Sequence, residues 1–260
     1  MKQVAAATYV LNRMSTDPKG IVDTALRTAK YLITDMRHVK RFQNRSELFK
    51  YSLQQTKTSG LILEFGVANG DSIRYISSKL PGETVYGFDC FTGLPEDWCI
   101  SKKGSFSTRQ LPKTRENVQL IVGLFQDTLN TFIKNHKETV RFIHMDADLY
   151  SSTLYVLKTL IEQKRIQIGT IIQFDELFNY TGWWRDGEYK ALKEIEKLYN
   201  LKYEFLGYSL IEGFGPAQVT VKILNVNSFY KKERKNENQP LPQLPPIPPQ
   251  RSQVDLYPTS

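Results

Sequence analysis

Short apolar runs recur along the chain from residue 61 onward, and segments with helix-like spacing of apolar residues separate most of them. Five-residue apolar runs bounded by polar or glycine residues are typical of buried strands. The pattern predicts seven strands, at Leu61–Phe65, Thr84–Phe88, Val118–Val122, Phe142–Met145, Thr170–Phe174, Tyr203–Leu206 and Val219–Leu224. Such alternation predicts an α/β fold with a mostly parallel sheet. The short connection at 211–216 predicts that the last strand is antiparallel.

Helical segments are predicted between these strands and ahead of them. Within the alternating region they lie at Asp71–Lys79, Thr128–Asn135, Ser151–Gln163 and Tyr189–Tyr199. In residues 1–60, apolar positions from Val22 to Ile33 follow helix spacing, and a second helix is expected near Leu48. Three regions are therefore expected: a helical extension or lid at 1–60, a catalytic domain at 61–230 and a tail at 231–260.

The tail differs from the rest in composition. Six prolines stand between Pro240 and Pro249, after a charged stretch at Lys231–Asn238. Without apolar periodicity this segment is expected to be disordered or polyproline-like. It can be an inert solvated tail or a ligand for a proline-binding groove.

Composition excludes several protein classes. The chain has 260 residues, of which 40% are hydrophobic and 24% charged, as in ordinary soluble domains. No apolar run is long enough for a membrane span, and no signal peptide is recognised. The two cysteines, Cys90 and Cys99, fit neither a disulfide framework nor a zinc pattern, so free thiols and a cytoplasmic location are expected.

The net charge is +8, and the first sixty residues contain eleven Lys or Arg against four acids. Such an excess can mark a polyanion-binding surface or a solvated helical face. No RNA-binding signature accompanies it, so a nucleic-acid partner is disfavoured.

The first strand ends in an acid followed by a glycine turn. Glu64 stands two residues before Gly66, and Gly70 follows four residues later. A strand–loop–helix of this kind can place backbone N–H groups around a nucleotide-like ligand, or can be an ordinary turn. The pattern is not G-x-G-x-x-G, and the acid would repel a phosphate. It suits a ligand with an ammonium group, such as S-adenosylmethionine.

Acids also follow the later strands. Asp89 ends the second strand, where a carboxylate can accept hydrogen bonds from the ribose of either NAD or S-adenosylmethionine, or can cap a loop. Asp146, Asp175 and Glu176 supply hard oxygen ligands suited to Mg²⁺, Mn²⁺ or Ca²⁺. Asp148 could act as a general base, as a further ligand or as a helix cap.

Two further features have alternative readings. His144 lies two residues before Asp146 and so on the same face of its strand, either as a catalytic assistant or as a buried core histidine. Trp183 and Trp184 can form an aromatic wall beside the site or simply pack.

Four motifs occur in order, at Leu63–Val67, Gly87–Pro95, His144–Thr153 and Phe174–Glu176. Together they resemble the macrocin O-methyltransferase family of class I S-adenosylmethionine-dependent methyltransferases. Asn44–Leu48 resembles the helical lead-in of that family. The resemblance covers about residues 40–224 and implies a Rossmann-like, seven-stranded sheet with an antiparallel last strand.

The resemblance also assigns roles. It implies that Glu64, Gly66 and Gly70 surround the methionine part of the cofactor, with Ser72 beside them, and that Asp89 holds the ribose. Gln126 and Asp127 are implied on the adenine side. The same comparison implies that Asp146, Asp175 and Glu176 hold Mg²⁺, that Asp148 is the candidate base, and that Asp146 also serves catalysis and cofactor binding.

Three positions depart from the family pattern. Glu176 replaces a usual aspartate, Cys90 replaces a common serine, and residues 178–191 resemble a branch of uncharacterised substrate.

The sequence therefore predicts a Mg²⁺-assisted O-methyltransferase that acts on a hydroxyl of a small molecule, such as a sugar or natural-product precursor. No membrane partner is expected, and self-association is left open. The alternatives are an NAD-linked oxidoreductase on a similar fold, a non-catalytic adaptor that uses the proline-rich tail, and an RNA methyltransferase.

Overall fold

The computed structural model describes residues 18–56, 59–108, 110–210 and 217–227. Contacts within the chain divide it into residues 1–230 and 231–260. The proline-rich tail and the connection at 211–216 lie outside the described residues, and the three-region division of the chain stays a prediction.

Six helices and eight strands occur in the described residues. The helices are α1 (Pro18–Thr34), α2 (Arg45–Gln54), α3 (Asp71–Lys79), α4 (Phe125–Asn135), α5 (Tyr150–Glu162) and α6 (Gly187–Tyr199). The strands are β1 (Lys40–Phe42), β2 (Leu61–Phe65), β3 (Val85–Asp89), β4 (Val118–Val122), β5 (Val140–Met145), β6 (Ile171–Phe178), β7 (Lys202–Leu210) and β8 (Ala217–Asn225).

The eight strands form one sheet in the order β1-β7-β8-β6-β5-β2-β3-β4. β8 is antiparallel to both of its neighbours, β6 and β7, and the other pairs are parallel. The predicted α/β class, the mostly parallel sheet and the antiparallel last strand are confirmed. The central strands β2 and β6 are buried along their whole length, as parallel strands covered on both faces must be.

β1 is an eighth strand that the sequence pattern did not predict. It pairs in parallel with β7, with Lys40 opposite Gly207. Two of its three residues are exposed, so it lacks the apolar run that marked the other seven. The predicted helical extension therefore also contributes an edge strand to the sheet.

α1 confirms a helix where apolar spacing predicted one, but it turns part of that apolar stripe to solvent. Val22, Leu26 and Ile33 are 58%, 66% and 68% exposed. Thr24 and Tyr31 are on the buried side, where the Tyr31 ring contacts aromatic rings of the core. No helix in the described part of the chain is long and apolar enough to cross a membrane.

β6 continues four residues beyond its predicted end. The pairing of β6 with β5 ends where Phe174 lies opposite Met145. On its other side, β6 pairs with β8 up to Phe178, which lies opposite Ala217. The acidic pair Asp175–Glu176 thus belongs to the strand but lies past the carboxyl end of β5. In open α/β sheets, ligands bind at this edge.

Candidate active site

The turn after β2 approaches the backbone of β5 closely. Gly66 has φ +90°, and a Cβ atom at this position would lie 1.8 Å from the carbonyl oxygen of Asp146. The Gly66 N–H donates to the Phe88 carbonyl at 2.9 Å. Only glycine fits this conformation and this space, so the residue brings the loop to the edge where β3 and β5 end.

Asp89 ties this loop to the end of β3. Its Oδ2 accepts hydrogen bonds from the backbone N–H groups of Val67 and Ala68, both at 2.8 Å. Its Oδ1 accepts from the Phe91 N–H at 2.7 Å. Both lone pairs of Oδ2 are thus used, but Oδ1 keeps one, so the fixed side chain can still accept a hydrogen bond from a ligand hydroxyl.

A cleft of about 260 Å³ opens beside the loop. Six of the predicted site residues line it: Gly66, Asp89, Gln126, Asp146, Asp148 and Glu176. The sequence analysis missed its apolar wall, which includes Leu94, Trp98 and Phe106 from the connection between β3 and β4. The apolar residues of that loop, Trp98 among them, were the available signal.

Other predicted residues are not among the described residues that line the cleft. Glu64 is fully buried, and its Oε1 accepts a hydrogen bond from Ser72 Oγ at 2.7 Å. Gly70 forms the N-cap of α3 in the left-handed region, at φ +79°. Asp127 lies in the first turn of α4.

Two overlapping groups of side chains bring acids together at the sheet edge. Asp146, Asp148 and Glu176 each place a carboxylate oxygen within 4.8 Å of the others. His144, Asp146 and Asp175 form the second group. The predicted metal ligands are thus divided between the two groups, and Asp146 is common to both.

Asp175 is held by partners from three elements. Arg45 Nη2 lies 3.0 Å from its Oδ1, Gln218 Nε2 donates to the same atom at 2.7 Å, and His144 Nε2 is 3.4 Å away. Burial alone would raise the pKa of Asp175, but the Arg45 charge, the contact with His144 and a hydrogen bond with Glu176 together outweigh it and lower the pKa to about 2.

The other acids are less fully compensated. Burial, followed by the Asp175 charge, raises the pKa of Asp146 to about 7. Burial and neighbouring carboxylates raise the pKa values of Asp148 and Glu176 well above their usual range. Asp148 also has φ +57°, an unfavourable backbone conformation that is found disproportionately at functional sites.

Glu188 is a further buried acid that the sequence analysis did not single out. Its Oε2 accepts a hydrogen bond from the Glu176 N–H at 3.0 Å, and its Oε1 is buried without a hydrogen-bond partner. Burial and the charges of Asp146 and Asp175 raise the pKa of Glu188 well above its usual range. From sequence, an acid in the first turn of a helix suggests only a favourable helix-dipole interaction.

His144 connects the two sides of the site beneath the cleft. It is fully buried, with Nδ1 3.4 Å from Glu64 Oε2 and Nε2 3.4 Å from Asp175 Oδ1. Burial lowers the pKa of His144, but the two carboxylates outweigh this effect and raise it to about 9. The side chain thus acts as a buried cation between acids.

The tryptophan pair packs away from the cleft. Trp183 is buried against the rings of Tyr31 and Tyr189. Trp184 is half-buried, with the Arg27 guanidinium 4.3 Å from its ring centroid. Cys90 and Cys99 are free thiols, and Cys90 lines the cleft.

The residues fit a hard divalent cation. Asp146, Asp148 and Glu176 offer converging carboxylate oxygens, the ligand type that Mg²⁺ prefers. Glu176 is 9% exposed, and its Oε2 is buried without a hydrogen-bond partner. A buried carboxylate oxygen in that state is costly unless a proton or a cation compensates it.

Comparisons with known proteins follow this geometry. A family model described as a methyltransferase domain matches residues 63–177. No curated protein sequence matches the chain significantly.

Solved structures share the fold at low identity. The crystal structure of CalS11, a calicheamicin methyltransferase, is 18% identical, covers 85% of this chain and 92% of its own, and superposes with a TM-score of 0.52. An O-methyltransferase from Bacillus cereus in complex with SAH is 16% identical over 85% of this chain and 97% of that chain, with a TM-score of 0.46. At 18% identity, the likeness to CalS11 establishes the fold alone.

The matched segment begins inside β2 and ends inside β6, so it contains the glycine turn, Asp89 and the acid cluster. The chain therefore contains a methyltransferase domain with the class I fold, and it is an S-adenosylmethionine-dependent methyltransferase.

Proposed function

We propose that this methyltransferase acts on oxygen, transferring the methyl group of S-adenosylmethionine to a hydroxyl of a small molecule with the assistance of Mg²⁺. One observation carries the proposal. The glycine turn and Asp89 open onto the same cleft as Asp146, Asp148 and Glu176. A cofactor site and a carboxylate site with a base thus share one cavity.

The cofactor side is assigned to the loop after β2 and to the end of β3. Asp89 accepts the ribose hydroxyls, and Gln126 lines the part of the cleft assigned to the adenine. Glu64 contacts the buried side chains of Ser72 and His144, and these contacts fix the position of the loop after β2. The bound cofactor supplies an electrophilic methyl group on a sulfonium.

The acceptor side is assigned to the acid cluster and the apolar wall. Asp146, Asp148 and Glu176 would hold Mg²⁺, which polarises an acceptor hydroxyl and lowers its pKa when bound. Asp148 accepts the hydroxyl proton while the oxygen attacks the methyl carbon. The carbon–oxygen bond forms as the carbon–sulfur bond breaks, and S-adenosylhomocysteine leaves.

A sugar or natural-product precursor is the proposed acceptor class. Carboxylates suit recognition of several hydroxyl groups, and Phe106, which lines the cleft and is 56% exposed, offers an aromatic face on which a sugar ring can stack. The chain's resemblance to the macrocin O-methyltransferase family points to the same class.

The first test is calorimetric titration with S-adenosylhomocysteine, with and without Mg²⁺, and with NAD as a control ligand. Micromolar binding of S-adenosylhomocysteine and no binding of NAD are expected. Asp89→Ala should weaken binding by at least tenfold, whereas Asp97→Ala, a change at an exposed acid of the next loop, should not. Binding of NAD in place of S-adenosylhomocysteine would favour the oxidoreductase alternative.

The second test addresses oxygen chemistry. Production of S-adenosylhomocysteine is measured over a panel of hydroxylated sugars and glycosides. Asp148→Asn should lower turnover of an accepted substrate by about 10²- to 10⁴-fold, the usual contribution of a general base, while cofactor binding persists. Unchanged turnover would remove Asp148 as the base.

A further inference from the structure

The N-terminal extension reaches the acid cluster through one side chain. Arg45 begins α2, outside the matched domain. Its Nη2 lies 3.0 Å from Asp175 Oδ1 and 3.1 Å from Asp146 Oδ2. A single nitrogen atom of Arg45 thus lies between the carboxylate of Asp146, at the end of β5, and the carboxylate of Asp175 on β6.

Packing fixes the position of this guanidinium. Its carbon lies 5.3 Å from the centroid of the Phe49 ring, and that ring meets His144 edge-on at 4.8 Å. The N-cap side chain of Asn44 accepts a hydrogen bond from the Glu47 N–H at 2.9 Å. The helix start that carries Arg45 is therefore preorganised.

A buried polar contact anchors the other end of α2 to the sheet. Ser52 Oγ donates to Gln173 Oε1 on β6 at 2.9 Å and lies 2.7 Å from Thr220 Oγ1 on β8. Both ends of the helix are thus tied down, so Arg45 is held at the aspartates.

This placement limits where a divalent cation can bind. An ion that bridged Asp146 and Asp175 would need the position of Arg45 Nη2. Asp148 and Glu176 have no contact with Arg45 among the hydrogen bonds and ion pairs of the described residues. Glu176 Oε2 also remains without a partner.

We propose that Arg45 is a positioning residue that takes the place of a metal ion between Asp146 and Asp175. It holds both carboxylates and confines a divalent cation to Asp146, Asp148 and Glu176. The inference rests on the Mg²⁺ part of the proposed function and goes beyond it, because it makes the N-terminal extension part of the active site and removes Asp175 from the metal ligands.

The test uses Mn²⁺ as a paramagnetic probe, with free and bound ion measured by electron paramagnetic resonance on the full chain. In the natural protein, Glu176→Gln should weaken Mn²⁺ binding at least tenfold, and Asp175→Asn should change it less than threefold. In an Arg45→Ala background Asp175 becomes available, so Asp175→Asn should now weaken binding at least tenfold. Arg41→Ala, at an exposed arginine of the same extension, is the matched control background.

Chemical rescue distinguishes positioning from a purely structural role. Arg45→Ala leaves a space that is open to solvent, since the Arg45 side chain is 34% exposed. Added guanidinium at low millimolar concentration should restore the insensitivity of Mn²⁺ binding to Asp175→Asn. Thermal melting of each variant checks that it folds.

Several outcomes would overturn the inference. Equal loss of Mn²⁺ binding in Asp175→Asn and Glu176→Gln of the natural chain would show that the ion displaces Arg45. Absence of Mn²⁺ binding in both the natural chain and Arg45→Ala would also overturn it. The calorimetric titration with S-adenosylhomocysteine tests the proposed cofactor site independently. Arg45 is not among the described residues that line that cleft, so failure of one proposal can be told from failure of the other.

Discussion

Gly66 is the residue whose backbone conformation most directly determines the path of the loop after β2. Its α-carbon faces the Asp146 carbonyl so closely that any side chain would collide with it. The same residue links the ends of β2 and β3 through its N–H. The cleft therefore exists because one position between three strands has no side chain.

Gly66→Ala should lower the free energy of unfolding by about 2–4 kcal/mol, from a backbone clash and from strain at positive φ, and should abolish S-adenosylhomocysteine binding. Gly82→Ala is the matched control, because Gly82 has the same φ of +90° but no atom within 4 Å of the added carbon. Its cost should be strain alone, about 1 kcal/mol. Equal destabilisation in chemical denaturation would show that the contact with Asp146 is not the cause.

The buried acids predict an unusual dependence of stability on pH. Asp146 has a pKa of about 7 in the folded chain, so between pH 8 and 6 the folded state takes up a proton that the unfolded state does not. The metal-free protein should therefore become more stable as the pH falls through this range. His144 adds to this slope, because its pKa rises from 6.5 to about 9 on folding, so the folded side chain keeps a proton that the unfolded one loses as the pH rises from 6 to 8. Asp175, with a pKa of about 2, is charged in both states over this range and contributes little slope.

Melting temperatures in EDTA at constant ionic strength should rise by a few degrees from pH 8 to pH 6. Asp146→Asn should flatten this dependence, and Glu116→Gln, at an exposed acid, should leave it unchanged. A melting temperature that falls over the same range would contradict the raised pKa values.

At the scale of secondary structure, α2 behaves as a support for the active site. It carries Arg45 at its first turn and Ser52 near its last, and each contacts groups that belong to the sheet. Phe49 lies between them against His144. Hydrogen bonding to the sheet thus fixes one end of α2, and the other end holds the carboxylates through Arg45.

Ser52→Ala should destabilise the chain by about 1–3 kcal/mol, because it leaves the buried Gln173 carbonyl oxygen without this donor. Ser78→Ala is the control, since Ser78 makes an exposed bond to a carbonyl of its own helix, α3. Denaturant titration of both variants is the measurement. A cost below 0.5 kcal/mol for Ser52→Ala would show that the polar contact does not anchor α2.

The end of β6 shows how an element boundary changes the chemistry. The apolar run predicted a strand over Thr170–Phe174, with Asp175 and Glu176 at its end. The strand instead continues to Phe178, with an irregular register after Phe174. Asp175 contacts Arg45 and Gln218, while Glu176 lines the cleft.

For the whole molecule, sequence patterns predicted the sheet well and the charge network poorly. Seven strands were visible because buried parallel strands consist of continuous apolar residues. β1 was invisible because it has only three residues and two are exposed. The glycine turn, Asp89 and the acids were visible because strand ends converge in this fold.

Partners distant in the chain could not be predicted. The contact between Arg45 and Asp175 depends on how α2 docks, and no local pattern encodes that arrangement. The contact between Glu176 and Glu188 likewise depends on the turn that brings α6 back under β6. The predicted roles of Glu64, Ser72 and Asp127 toward the cofactor remain predictions.

Removal of residues 231–260 should leave the core unaffected. Every residue assigned to the site precedes this segment, which is a separate unit of contacts. The shortened chain should keep its melting temperature within about 2 °C and its affinity for S-adenosylhomocysteine within twofold. Loss of cofactor binding would contradict this division of the chain, and loss of partner capture alone would support the adaptor alternative for the tail.

The pairing of β1 with β7 has a consequence for the order of folding. Lys40 lies opposite Gly207, so this edge of the sheet closes over most of the length of the chain. Contacts so remote in sequence form late, because a long loop must first be ordered. β1 and α2 are made early on the ribosome but must wait for β7. A nascent chain can thus assemble the loop after β2 before β1 has a strand to pair with.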